Sequence, residues 1–310
     1  MEVFGLKSQS LKYSMGGFGS VHMYLTPQEL AALQQQQRQQ HHTTTASAST
    51  TARRRRSSAS ATATTSTTTA NVSANVSAMA APSPSSKAVL IVGASRGIGH
   101  QLVEQLAQQP DYHITASVRS SADFGTAAVN TVQLDQSSAD SVRAAAAQVK
   151  ELDTLIVNAA MGDDEKLLST SDERMAQYMD VNVTGALRVV KAFLPALRAR
   201  KTRQIVLVSS TSGSLARQVN VKRGFVGPYA VSKAALNMVA VQLHNELHDD
   251  EGFTVVPIHP GWVATDMGSI AGDGGMAPEK SAAGIIGVVQ KLKPDDSATF
   301  FNYDGTTLPW

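Results

Sequence analysis

Tyr229 and Lys233 stand four residues apart in Tyr229-Ala230-Val231-Ser232-Lys233, directly behind Pro228. On a helix this spacing places both side chains on one face. A free phenol has a pKa of about 10, too high for proton exchange at neutral pH. An ammonium a few ångströms away favours the phenolate and lowers that value. Alone, such a spacing is most often a solvated surface pair; its company changes the reading. Upstream, Ser209-Ser210-Thr211-Ser212-Gly213 is a hydroxyl cluster, and Gly93-Ala94-Ser95-Arg96-Gly97-Ile98-Gly99 is a glycine loop between an apolar run and a helical pattern. Glycines at such a place let backbone approach a pyrophosphate, and the start of the following helix offers unpaired N–H groups to an anion.

More candidates follow other apolar runs. Arg119 stands where a site for NAD would place Asp or Glu on the ribose 2′-hydroxyl. A cation there suits a 2′-phosphate, and Arg96 could add a second charge. Each alone reads equally as a solvated surface arginine. Together, with no acid between Arg119 and Asp123, they favour NADP(H) over NAD(H). Asp135 could accept a hydrogen bond from an adenine amino group; its competing role is a helix N-cap, which Ser137 or Ser138 would fill as well. Asn158-Ala159-Ala160 is small enough to let a cofactor pass over its strand end.

The elements needed to position these residues alternate. Apolar runs predict strands at 87–92, 112–118, 129–134, 152–157, 204–209, 253–258 and 298–301. Helical patterns fall at 97–109, 137–150, 172–200, 228–248 and 278–292. The expected fold class is α/β: a doubly wound, Rossmann-type parallel sheet covered on both faces, as one domain over 87–310. Such sheets bind ligands beyond the C-terminal ends of their strands, where the candidates lie.

Composition narrows the chemistry. The 310 residues include no cysteine, which excludes disulfides, thiolate metal sites and cysteine nucleophiles. The net charge of +2 gives no general case for a nucleic-acid partner, and no apolar run reaches the length of a membrane span. The average conceals a break near residue 86. Residues 1–86 carry +5, from Lys7, Lys12, Arg38 and Arg53–Arg56 against Glu2 and Glu29; residues 87–310 carry −3, which together return +2. Ser, Thr and Ala fill 43–70 around the arginine block, too little apolar bulk to offset ordering, so about 43–86 is expected to be a disordered leader. Residues 28–40 are expected to form a short helix. The leader's composition fits an organelle transit peptide, although its first 37 residues hold no Arg. An inert leader, a basic binding patch at Arg53–Arg56 and a start at Met79 are competing readings. Location is accordingly cytoplasmic, or mitochondrial or plastid if residues 1–86 are such a signal.

Gly93–Gly99, Asn158-Ala159-Ala160, Val181-Asn182-Val183-Thr184-Gly185, Ser209-Ser210 and Tyr229-x-x-x-Lys233 resemble, in this order, the motifs of the short-chain dehydrogenase/reductase family. Ser232–Met238, His259–Gly268 and 301–310 resemble its carbonyl-reductase-like branch, which includes the sniffer and C-factor proteins. The resemblance covers 87–310. It implies a seven-stranded sheet and a catalytic tetrad of Asn182, Ser210, Tyr229 and Lys233. In that scheme Tyr229 donates a proton to a carbonyl oxygen as hydride arrives from the nicotinamide. Ser210 holds the same oxygen, Lys233 holds the ribose and tunes Tyr229, and Asn182 anchors a water. Pro260, Gly261, Val263 and Thr265 line the nicotinamide end, and Gly93, Ser95, Arg96, Gly97, Ile98 and Gly99 hold the diphosphate.

Three features depart from the family pattern. Ala160 replaces a usual Gly, an insert at Arg217–Gly227 widens the Ser210–Tyr229 spacing, and Asp163-Asp164 lies in a loop near the substrate side. The Gly-rich loop Ser269–Pro278 is expected to act as a mobile lid. The leading expectation is an NADPH-dependent reductase of small aldehydes, ketones or quinones. A nucleotide-binding signalling or scaffold protein with vestigial catalysis is the alternative. The helix after Tyr229 is a common dimer face in the family, so a homodimer is open, although Gln242, His244, Asn245 and His248 make its outer half polar.

Overall fold

The computed structural model describes residues 82–83, 85–126 and 128–310, and the backbone of 10–12 and 22–24. The helix expected over 28–40, most of the leader over 43–86, the Arg53–Arg56 patch and the Met79 start lie outside the described residues. Ser10–Lys12 and His22–Tyr24 pair antiparallel within a unit of their own.

In the second unit the strands are β1 (Lys87–Val92), β2 (Tyr112–Val118), β3 (Val129–Gln133), β4 (Thr154–Val157), β5 (Gln204–Val208), β6 (Thr254–His259) and β7 (Phe301–Asn302). The helices are α1 (Gly97–Ala107), α2 (Ala139–Ala146), α3 (Asp172–Met179), α4 (Ala186–Arg198), α5 (Leu215–Gln218), α6 (Gly227–Glu251) and α7 (Pro278–Val289). The strands form one parallel sheet in the order β3-β2-β1-β4-β5-β6-β7. The order reverses between β1 and β4, the switch point that doubly wound folds use for ligands.

Strand pleating divides the core between two faces. Leu90, Val92, Leu155 and Val157 pack with Val142 of α2, Val190 and Phe193 of α4 and Leu243 of α6. Val89, Ile91 and Ile156 pack with Leu102 and Leu106 of α1 and Ile285 and Ile286 of α7. Burying side chains of this size contributes about 1.5–3 kcal/mol each, which is what holds the sheet between its helices.

Three expectations need correction. The helix read over 172–200 is α3, a π-helical turn over Asp180–Gly185 and α4. Asn182 in that turn is bonded to the Met161 backbone, and a Cβ on Gly185 would lie 2.9 Å from the Asp180 carbonyl oxygen. An apolar period of 3.6 residues cannot reveal a single widened turn. The Ala-rich helix is shorter than 137–150, because Ser138 caps α2 by accepting a 3.2 Å bond from the Ser141 N–H. The last strand begins only at Phe301, since Ala298 sits in the left-handed region at φ 59°. Among the described residues no helix is long and apolar enough to cross a membrane.

Candidate active site

All strands of a parallel sheet deliver their C-terminal loops to one edge, and the candidate residues meet there in two groups. The first surrounds the glycine loop. Gly93 and Gly97 adopt φ of 83° and 56°, which favours glycine. A Cβ on Gly93 would lie 2.7 Å from the Ala159 backbone, and one on Gly99 2.1 Å from the Gly93 carbonyl oxygen. Asn158 locks this approach, its Nδ2 donating to the Gly93 carbonyl at 2.8 Å. No side chain caps α1 and no acid stands in its first turn, so its N-terminal N–H groups face the loop without a competing anion. This cradle, built on Gly93, Ser95, Gly97, Ile98 and Gly99, fits a diphosphate pressed against backbone.

Arg119 and Asp135 lie toward the β3 side, away from the cleft described below. Asp135 accepts from the Ser137 hydroxyl at 2.6 Å and the Ser137 N–H at 2.9 Å. These bonds hold its carboxyl below the usual range, with Arg119 and Arg188 adding to the effect. Arg119 is exposed, and its carbonyl accepts from Gln133 Nε2 at 3.0 Å. Arg96 turns elsewhere, forming a 2.7 Å pair with Asp266 in the loop after β6.

The second group is buried. Gly227 (φ 58°) opens α6 so closely against the preceding fold that a Cβ there would meet the Glu165 carbonyl oxygen at 2.2 Å. Pro228, in the first turn, gives up no needed N–H. Tyr229 follows, 6% exposed, its ring 4.8 Å from that of Phe225 and its hydroxyl near enough to Ser210 to be influenced by it. One turn on, Lys233 is 2% exposed, its Nζ 5.7 Å from the Tyr229 ring centroid and donating to the Val208 carbonyl at 2.8 Å. Burial pushes the Tyr229 phenol up to about 12, against the Ser210 hydroxyl that lowers it, and pushes Lys233 down to about 7. The expected lowering of the phenol by its lysine is therefore not what this buried pair shows. The same desolvation that raises the phenol also weakens the charged form of Lys233, which would lower it.

Asn182 is 1% exposed. Its Oδ1 accepts from the Met161 N–H at 2.8 Å, and its Nδ2 donates to the Met161 carbonyl and to Ser232 Oγ, each at 2.9 Å. Ser232 in turn donates to the Tyr229 carbonyl at 2.7 Å, so Asn182 is tied to the α6 turn that bears Tyr229 and Lys233. Ser210 Oγ caps the following turn, accepting from the Ser212 N–H at 3.1 Å.

A cleft of about 400 Å³ opens beside this group, lined by Ile98, Ser210, Tyr229, Pro260, Gly261, Val263 and Thr265 among others. Thr265 Oγ1 accepts from the Gly268 N–H at 3.0 Å, and Pro260 accepts from Ser281 at 2.6 Å. The loop expected as a lid is folded back: Met276 donates its N–H to Trp262 O at 2.8 Å and accepts from the Ala264 N–H at 2.8 Å. A second cleft of about 310 Å³, bordered by Gly284, Lys291 and Tyr303, holds none of the candidate residues.

Several supports escaped the sequence reading. Asn237, four residues beyond Lys233, accepts from Ser209 Oγ at 2.6 Å and donates to the Gly213 carbonyl at 3.1 Å. Polar residues at helical spacing from Lys233 were the available signal. His259 Nδ1 accepts from the Thr211 N–H at 3.2 Å. Burial first and Arg217 second push His259 down to about 4, with Asp304 opposing. Its place at the end of β6 and at the head of the His259–Gly268 motif marked it, without a role. Among the described residues no cluster of His, Asp and Glu could hold a metal ion.

A glycine cradle at the switch point and a buried Ser–Tyr–Lys group at one sheet edge define a nucleotide-dependent oxidoreductase of the doubly wound class. The chain matches the family model described as short chain dehydrogenase over residues 87–273, and it belongs to that family. C-signal of Myxococcus xanthus is 39% identical over 160 residues, covering 51% of this chain and 93% of that protein. The NADPH-bound carbonyl reductase from chicken fatty liver superposes with a TM-score of 0.68 at 27% identity, covering 73% of this chain and 99% of that one. The carbonyl reductase Sniffer of D. melanogaster superposes with a TM-score of 0.65 at 25% identity, covering 73% and 100%.

Proposed function

We propose that this oxidoreductase reduces the carbonyl of a small aldehyde, ketone or quinone to an alcohol, with NADPH as its preferred reductant. The observation that carries the reading is the Tyr229–Ser210 hydroxyl pair beside the cleft, with Lys233 one turn behind it.

The residues present fit a nicotinamide dinucleotide. Gly93, Ser95, Gly97, Ile98 and Gly99 would hold its diphosphate, Asp135 its adenine, and Asn158, Ala159 and Ala160 its middle. Pro260, Gly261, Val263 and Thr265 would line the nicotinamide end. Arg119 would meet a 2′-phosphate. Arg96, already paired with Asp266, can join only by giving up that partner. When bound, the reduced dinucleotide supplies hydride.

The chain's own groups do the rest. A phenol raised to about 12 keeps its proton across neutral pH, so Tyr229 gives it only to a stronger base, the alkoxide-like oxygen formed as hydride arrives. Acid catalysis of this kind contributes roughly 10² to 10⁴ in rate. Ser210 donates to the same oxygen as charge develops there. Lys233, brought to about 7, exchanges protons near neutrality and can reload Tyr229. With its side chain committed to Met161 and Ser232, Asn182 holds any water through its main chain.

The test is NADPH oxidation by the full chain over a panel of aldehydes, ketones and quinones. Turnover should exceed that of a Tyr229→Phe variant. Cofactor binding without turnover above that control would sink the reductase reading and favour a nucleotide-sensing signalling role.

A further inference from the structure

The tetrad does not account for the outer wall of the cleft. Arg217 on α5 and Arg223 between α5 and α6 both line it, beside Val221 and Phe225. Among the described residues, no Asp or Glu lines the cleft. Among the described residues, neither guanidinium forms an ion pair. The acids nearest in sequence to the substrate side are engaged elsewhere: Asp163 lies 3.6 Å from Arg174 and Asp164 3.5 Å from Lys166. Lys166 also donates to the Lys222 carbonyl at 3.2 Å, which ties the strand-end loop to the arginine-bearing segment.

The wall is braced. Ser214 Oγ caps α5 by accepting from the Arg217 N–H at 3.2 Å and itself donates to the Pro309 carbonyl at 2.7 Å. Ala216 donates its N–H to Trp310 O at 2.9 Å. Arg217 thus stands on a short, tied turn, which fixes where its side chain leaves the backbone. Its charge reaches the cleft floor, where it helps keep His259 neutral.

We propose that the cleft selects carbonyl compounds bearing an anionic group, a carboxylate foremost, at the end remote from the carbonyl, with Arg217 and Arg223 as the specificity-determining residues. The inference rests on the reductase reading. Arg–carboxylate pairing is directional and charge-assisted, so the anion would also orient the carbonyl toward Tyr229 and Ser210. Both arginines are exposed, so the preference must weaken as salt rises.

Binding and turnover are measured separately. In the first measurement, para-(hydroxymethyl)benzoate and its neutral methyl ester, the two alcohol products, are titrated calorimetrically into the full chain with and without NADP⁺. The acid should bind at least about tenfold more tightly than the ester. The Arg217→Gln, Arg223→Gln double variant should bring that ratio close to one, as should high salt. Equal affinities in the unsubstituted chain overturn the inference, and so does a preference that survives the double substitution. In the second, kcat/KM is compared for the corresponding aldehyde acid and aldehyde ester with NADPH. The acid:ester ratio should fall in the double variant through KM. Turnover of the ester with no preference for the acid overturns the anion selection and leaves the reductase reading standing. A preference in binding with no turnover of either aldehyde supports the anion site and counts against the reductase reading, which falls if the full carbonyl panel also gives no turnover.

Discussion

The two ends of the ligand edge are built differently. At the β5–α6 end, Ser210, Tyr229, Lys233 and Asn182 are 8% exposed or less, and Ser210, Lys233 and Asn182 are each fixed by hydrogen bonds to backbone. Outside that group, Arg119 after β2 is exposed, and the Arg96–Asp266 pair, which joins the glycine loop to the loop after β6, has side chains 72% and 76% exposed. The buried end works in low dielectric, where a misplaced proton or a lost partner is costly. The open end works through screened charges, where single changes move affinity modestly. On the proposed reading, chemistry falls to rigid, dry groups and cofactor choice to groups that solvent can reach.

Substitutions can break this contrast, and the largest effect belongs to the buried end. Tyr229→Phe should lower kcat by about 10² to 10⁴ in steady-state NADPH oxidation while leaving the melting temperature close to that of the unsubstituted chain. Lys233→Met should abolish turnover yet stabilise the fold near neutral pH by a few kcal/mol. The folded pKa of about 7 lies below the ordinary 10.5, so the unfolded chain binds this proton more strongly between those values. Stability therefore rises as pH climbs from about 7 to 10.5 and is lowest below it. Denaturation midpoints at both ends of the range should show the rise in the unsubstituted chain and its loss in the variant.

Asn182→Ala strips partners from a buried backbone. It should destabilise by about 1–3 kcal/mol for each Met161 group left bare, read from urea unfolding. At the open end, Arg119→Asp should shift the NADPH:NADH ratio of kcat/KM by about tenfold or more toward NADH, with unfolding unchanged. An unaltered ratio would remove Arg119 from the 2′-phosphate. Asp266→Asn is the smallest. It should leave stability within the noise of thermal melts, and any change should appear as tighter NADPH binding by the freed Arg96.

Much of this was legible beforehand. The strand–helix alternation followed from apolar periodicity, because a parallel sheet buried on both faces must show continuous apolar runs. Gly93, Ser210, Tyr229 and Lys233 were legible because their spacing is tied to strand ends and one helix turn. What escaped was long-range or conformational. The Arg96–Asp266 pair joins residues 170 apart, and no local pattern announces it. The raised Tyr229 depends on burial, which spacing does not encode, and the left-handed Ala298 violates its own residue's preference.

The widened turn at Asp180–Gly185 makes the site sensitive to chain length as well as to residue identity. Each helical residue advances the chain by about 100° around its axis. Deleting one residue within 180–185 other than Asn182 would remove the extra residue of the wide turn and let α3 run into α4 as one regular helix. Everything on one side of the cut would then be rotated against the other, and Asn182 could no longer face both Met161 and Ser232. The protein carries a reading frame in its backbone, and a one-residue deletion there shifts that frame while the codon frame is kept.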